Sequence, residues 1–225
     1  MGNQLFIKND VGKPKAEVLA RRYRAAYSMQ ISHHTNKYIE KVEMLEELFN
    51  TKQQLLMNQG TDDYTLLPIL IGAVDNHFTR KIFHEFFCKS ENLLYIDVGN
   101  TATTVPDDWQ QRKKSNWSAA ELEEYNRSGY NGQVVVGLKR DGEEVLQPVA
   151  HLFPEILTSN DEIAPSQLSC SQLAKSEPQR VITNKFAALA VANYINEIFD
   201  EGTISHHLTL FHAKKSFMKA VPIKE

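Results

Sequence analysis

No Gly-x-Gly-x-x-Gly run occurs anywhere in the 225 residues, which removes the backbone fingerprint by which dinucleotides are usually bound and counts against a nicotinamide-dependent oxidoreductase. Cysteine is scarce: Cys88 and Cys170 are the two present, far apart and in no Cys-x-x-Cys pair, so neither a disulfide framework nor a zinc ribbon is indicated. No apolar stretch approaches the roughly 20 residues that span a bilayer, and membrane insertion is not expected. The opening Met1-Gly2-Asn3-Gln4 has neither the basic nor the apolar region of a secretory signal, so a cytoplasmic location is expected. The formal net charge of -3 gives no whole-chain reason for a nucleic-acid partner. Internal repeats and low-complexity tracts are also missing. What is present is ordinary globular composition, 42% hydrophobic and 24% charged, in a chain long enough to bury a substantial core.

Pro14 opens a helical pattern to Tyr27, with Val18, Leu19, Tyr23, Ala26 and Tyr27 at helical spacing. Met29, Ile31 and His33 alternate against polar neighbours and predict a short strand to Thr35. A second helix is expected over Tyr38 to Asn58, ended by Gly60-Thr61-Asp62-Asp63. A strand follows at Leu66 to Val74, a helix from His77 to Cys88, and a strand at Leu93 to Asn100, which is the spacing of a crossover unit with parallel strands. The polar segment Thr101 to Asn131 reads as an exposed excursion. Gln133 to Leu138 and Val145 to Val149 restore the strand pattern around a turn at Asp141-Gly142. A polar loop over Thr158 to Glu177 precedes a long helix from Pro178 to Phe199, and Ile204 to Ile223 reads as a terminal hairpin turning at Ala213-Lys214-Lys215-Ser216.

The expected fold class is therefore α/β, a partial Rossmann-like sheet with parallel crossover units plus a C-terminal helix and β-hairpin. Residues 1-150 form its α/β domain and residues 151-225 a loop, helix and hairpin packing on it. The run Leu66 to Val74 is nearly all apolar, as in a strand covered on both faces, and it ends in Asp75-Asn76. Asn76 is a suitable N-cap for the next helix. Ligands of open α/β sheets sit at the carboxyl ends of strands, where this carboxylate and amide fall.

Three patterns occur in order: Gln4-Leu5-Phe6 with Asp10-Val11-Gly12-Lys13-Pro14-Lys15-Ala16, then Val74-Asp75-Asn76 with Arg80 four residues on, then Cys170 in a late loop before a long helix. Together they resemble the adenylylating ThiF/MoeB family, relatives of the ubiquitin-activating enzymes. The motif match covers roughly Gln4 to Asn100, and Pro165-Ser166-Gln167-Leu168-Ser169-Cys170-Ser171 is similar to the family's Pro-Ser-Cys-Ser type loop, with the proline further off. The resemblance implies ATP and Mg2+ as cofactors and adenylylation of the C-terminal carboxylate of a small ubiquitin-like or sulfur-carrier protein. It also implies a homodimer or a complementing subunit.

By position, Lys15 is then expected to contact the triphosphate, Asp75 to hold Mg2+, and Gln4, Asn76 and Arg80 to shape the nucleotide pocket. Cys170 becomes a thioester- or persulfide-forming nucleophile. Two family features are missing: the strand and Gly-rich loop that normally precede Gln4, and the arginine normally found at the position of Asn3. The expectation is thus a fragment, a reduced homologue or half of a split enzyme, and the rival expectation is a non-catalytic binding or scaffold protein.

Each signal has a plainer reading. Asp75 and Asn76 suit any helix start, Lys13 and Lys15 can be solvated, and Arg80 can be a surface or salt-bridging residue. Cys88, within Phe86-Phe87-Cys88, is expected in the core. Adjacent histidines in a strand, as in His33-His34 and His206-His207, point to opposite faces and do not share a metal ion. Arg112-Lys113-Lys114 between Trp109 and Trp117 is expected to meet solvent or a protein partner.

Overall fold

Leu93-Leu94-Tyr95-Ile96 carries apolar side chains at consecutive positions, which a strand can bury only where both faces of its sheet are covered. All four are fully buried in the computed structural model. It describes residues 6–35, 38–57, 66–160, 163–167 and 178–223, with the backbone alone for 51–57. In chain order the elements are helices α1 (Lys15–Tyr27) and α2 (Val42–Met57), strand β1 (Ile69–Gly72), α3 (His77–Lys89), β2 (Leu93–Asn100), α4 (Ala119–Arg127), β3 (Asn131–Arg140), β4 (Glu143–Leu146), the single-turn helices α5 (Val149–Leu152) and α6 (Glu155–Thr158), α7 (Val181–Asp200), β5 (His206–His212) and β6 (Phe217–Pro222).

The described strands make one mixed six-stranded sheet in the order β1-β2-β3-β5-β6, with β4 alongside β3. Layers form because side chains alternate along each strand. Leu93 and Tyr95 of β2, with Val135 of β3, face one side and pack with Ile82, Phe83, Phe86 and Phe87 of α3 and with Val42 and Leu45 of α2. Leu94 and Ile96, with Val134, Val136 and Leu138, face the other side and pack under Ala187, Ala190 and Tyr194 of α7. No helix among the described residues is long and apolar enough to cross a membrane.

The crossover unit β1-α3-β2 has the expected parallel pairing, Ile69 opposite Leu94 through Gly72 opposite Asp97. Among the described residues it is the sheet's one parallel pair. β3 runs antiparallel because the excursion after β2 leaves and re-enters the sheet at the same end, with Asn100 opposite Gly132. The turn at Asp141-Gly142 links β3 to β4 with positive φ at both residues, 50° and 81°, as the hairpin twist requires. The terminal hairpin β5-β6 is present, turning through a 3-10 turn at Ala213–Lys215 and Ser216 at φ 50°.

Four expectations are corrected. Residues 28–35 are irregular: Ser28 ends α1 at φ 53° and Arg24 Nη2 donates back to the Ile31 carbonyl at 2.5 Å. Met29 there is 58% exposed, so the alternation covers no core. β1 is a short strand at the sheet edge with Ile71 exposed, so the apolar run is not covered on both faces throughout. The segment 101–130 folds into α4 and a 3-10 turn at Lys114–Asn116, with Trp117 buried edge-on against Tyr125. Within its basic group Arg112 pairs with Asp108 and Glu121, Lys114 stands with its Nζ 3.7 Å from the Tyr125 ring centroid, and Lys113 is exposed to solvent as expected. Cys88 is exposed, because α3 turns Phe83, Phe86 and Phe87 to the core and leaves Cys88 on its flank.

Candidate functional site

The end of β1 and the start of α3 are built as their residues dictate. Asn76 has extended backbone, and its Oδ1 accepts the Thr79 N–H at 2.8 Å, satisfying one of the donors a helix start leaves open. Asn76 Nδ2 also approaches Asp75 Oδ1 at 3.4 Å. Asp75 itself stands exposed at the mouth of the strand.

One turn into α3, Arg80 points inward instead. Its Nε donates to both carboxylate oxygens of Asp97 at 3.1 and 3.2 Å, and its Nη2 donates to the carbonyls of Val74 at 2.8 Å and Val98 at 2.9 Å. The Tyr95 hydroxyl donates to Asp97 Oδ2 at 2.9 Å. This buried fork ties the exit of β1 to the exit of β2. Burial raises the Asp97 carboxyl above the usual carboxylate range, opposed by the charge of Arg80 and the hydrogen bond from Tyr95. Burial, with Asp97 beside it, also drives the Tyr95 phenol well above its ordinary value. Both side chains are committed to this buried network, and the groups open to solvent lie around it.

Lys15, Asp75, Asn76 and Arg80 all line one open cleft of about 2810 Å³ at the carboxyl ends of β1 and β2. Lys15, exposed in the first turn of α1, is among its lining residues, and the chain before α1 is folded against that helix, with Asp10 accepting the Ile7 N–H at 2.8 Å and pairing with Arg22 of α1 at 2.8 Å. The Ile7 bond, with Arg22 behind it, lowers the Asp10 carboxyl below its ordinary value. Across the cleft, Asn100 Nδ2 donates to Asn184 Oδ1 of α7 at 2.9 Å, while the buried Asn100 Oδ1 has no hydrogen-bond partner. Gly132 leaves room for it, since a Cβ there would overlap the Phe211 ring and come 2.5 Å from that oxygen.

Of the residues expected from sequence, four thus line one open cleft, while Gln4 and Cys170 lie outside the described residues. His206 and His207 do face apart, whereas His33 and His34 lie in the irregular segment 28–35 and not in a strand. His206 is buried against the Tyr194 ring with Nε2 2.9 Å from Thr209 Oγ1, whereas His207 Nε2 meets the Gln147 carbonyl at 2.7 Å. Sequence reasoning missed Asp97, Asn100 and Asn184. Asp97 did carry a signal, a carboxylate inside a buried apolar strand, which demands a partner. The asparagine pair, 84 positions apart, carried none.

The cleft carries the exposed carboxylates of Asp75 and Glu155, the exposed ammonium groups of Lys15 and Lys215, and amide groups, donors of the kinds that suit a hard cation and a polyanion. No protein-family model matches the chain, and comparison with curated proteins returns no match.

Proposed function

We propose that this protein adenylylates the C-terminal carboxylate of a small ubiquitin-like or sulfur-carrier protein, with ATP and Mg2+, on a Rossmann-like β1-α3-β2 unit. The observation that carries the reading is that Lys15, Asp75, Asn76 and Arg80, the residues of the ThiF/MoeB resemblance, wall one cleft. In this reaction a carrier carboxylate oxygen bonds to the α-phosphorus of ATP, the bond to the β-phosphate bridging oxygen breaks, and pyrophosphate leaves. Its volume, about 2810 Å³, exceeds the roughly 300–1,000 Å³ of common small-molecule pockets, and leaves room for a nucleotide and a peptide tail side by side.

The donor set fits a magnesium ion, since an exposed carboxylate, one of whose oxygens has only a long contact from Asn76, suits a hard cation that takes one or two carboxylates plus phosphates. Bound there, Mg2+ supplies charge compensation on the phosphates. Asp75 holds the ion, Asn76 fixes the approach to Asp75 while capping α3, and Lys15 offers its ammonium to the phosphates. Arg80 does not offer a free fork. Its Nε and Nη2 are committed to Asp97, Val74 and Val98, so it acts as the rigid wall that holds Asp75 at the strand exit.

The test is pyrophosphate exchange into ATP with candidate carrier proteins, in wild type and Asp75→Ala. Carrier-dependent exchange that falls by about 100-fold or more in the variant is expected, the scale of removing a transition-state electrostatic partner. Equal exchange in both proteins removes Asp75 from the mechanism. The scaffold reading is favoured by the internal commitment of Arg80. Calorimetry with Mg-ATP separates the two, because a scaffold shows no heat of binding.

A further inference from the structure

Away from the cleft, α3 and α5 bring together three side chains that the reading above does not use. His84 and Cys88 lie four residues apart on one face of α3, with His84 Nε2 3.6 Å from Cys88 Sγ. His151 of α5 sits edge-on to the His84 ring, centroids 4.8 Å apart. One ligand atom from each of the three lies within 4.8 Å of the others. A zinc ion takes sulfur at about 2.3 Å and imidazole nitrogen at about 2.0–2.1 Å, so a tetrahedral centre sets sulfur and nitrogen about 3.5 Å apart. The Cys88–His84 pair already has that separation, and His151 lies close enough to supply the third ligand once its side chain moves in.

The surroundings are arranged to match. Glu144 of β4 approaches His151 Nδ1 at 3.2 Å from Oε1 and 3.0 Å from Oε2. With Nδ1–H donated to that carboxylate, Nε2 carries the lone pair, which is the carboxylate-histidine arrangement behind metal-bound imidazoles. Of the other charges near Cys88, Lys139 is drawn aside to the Cys88 carbonyl at 2.7 Å and Glu85 is paired with Lys89 at 2.8 Å. A thiolate with two imidazoles is a donor set for Zn2+ rather than for Mg2+.

We propose that His84, Cys88 and His151, with Glu144 orienting His151, form a binding site for a borderline-soft divalent cation, Zn2+ foremost. Binding forms one metal–sulfur and two metal–nitrogen bonds and breaks the Cys88 S–H bond. The proton leaves to solvent, no electron is transferred, and water fills the fourth position. His84 stands about 12 Å along α3 from Asn76, at about 1.5 Å per residue, so the ion braces the far half of α3 against α5 and takes no part at the cleft.

The test uses the full chain, reduced and freed of metal by a chelator, with ZnCl2 in a calorimeter and CoCl2 as the coloured stand-in. One equivalent of Zn2+ and a thiolate-to-cobalt charge-transfer band are expected. Both should be lost in Cys88→Ser and in His84→Ala, and the band should persist in Cys170→Ser. Glu144→Gln should weaken Zn2+ by about 10–100-fold, the usual effect of removing such a partner. Circular dichroism of each metal-free variant checks that it is folded. Absence of binding, an unchanged isotherm in Cys88→Ser, or a band that follows Cys170 overturns the site. None of these outcomes bears on Mg-ATP exchange, which is read separately.

Discussion

Arg80 and Asp75 lie five positions apart and behave oppositely, which decides how their variants must be read. Arg80 forms an ion pair with the buried Asp97 carboxylate, and removing it leaves that carboxylate without this cation, with the Tyr95 hydroxyl still donating to it. Arg80→Ala is therefore expected to cost about 3–5 kcal/mol, read as a lowered urea midpoint. Asp75 is exposed, and Asp75→Ala should stay within about 0.5 kcal/mol of wild type in the same titration. Lost exchange in Asp75→Ala then reports chemistry, whereas lost exchange in Arg80→Ala reports a loosened strand exit. In sequence, Asp75 and Asn76 were legible because the end of an apolar run and the start of a helical one coincide there. Arg80 was legible only as a choice between a pocket residue and an ion-pairing one. Its partner lies 17 positions on, in strand β2, and the parallel crossover from β1 through α3 to β2 brings them together.

At the scale of elements, α4 is the one that the polar character of its segment concealed. Ser118 Oγ accepts the Glu121 N–H at 3.2 Å and Glu121 Oε2 accepts the Ser118 N–H at 2.7 Å, a reciprocal cap present in the sequence as Ser-x-x-Glu. Glu121 also pairs with Arg112 at 2.5 Å. Arg112 and the Ser118 N–H together hold the Glu121 carboxyl down to about 2, below its ordinary 4.5. A carboxyl lowered by folding stabilises the folded segment above the unfolded value, and that contribution is lost as pH falls from about 4.5 through about 2. Trp117, buried next to this cap, reports it. Acid titration of Trp117 emission, in a Trp109→Phe background, should show a transition in that window that Glu121→Gln removes. An identical titration in both proteins would show that the cap does not govern the segment.

Over the whole molecule, the same two strands serve both cores. β2 and β3 send Leu93, Tyr95 and Val135 to one side and Leu94, Ile96, Val134 and Val136 to the other, so neither helical layer can leave without exposing apolar strand surface. Denaturant unfolding is expected as one transition, with far-UV circular dichroism and tryptophan emission sharing a midpoint. Two separated midpoints would mean that the α3 and α7 layers come apart independently.

The sequence alone determined what local chemistry can determine. Apolar periodicity specified α1, α3, α7 and the strands β2 and β3, turn residues specified Asp141-Gly142 and the terminal hairpin, and an asparagine after an apolar run specified the α3 cap. Tertiary structure decided the rest. That β1 sits at an exposed edge, that β3 runs antiparallel, that Lys15 lines the cleft with Asp75, and that His151 joins His84 and Cys88 all depend on distant segments. Periodicity records which face of an element is apolar, but strand order and direction arise from competition among pairings far apart in the chain, which no local pattern encodes.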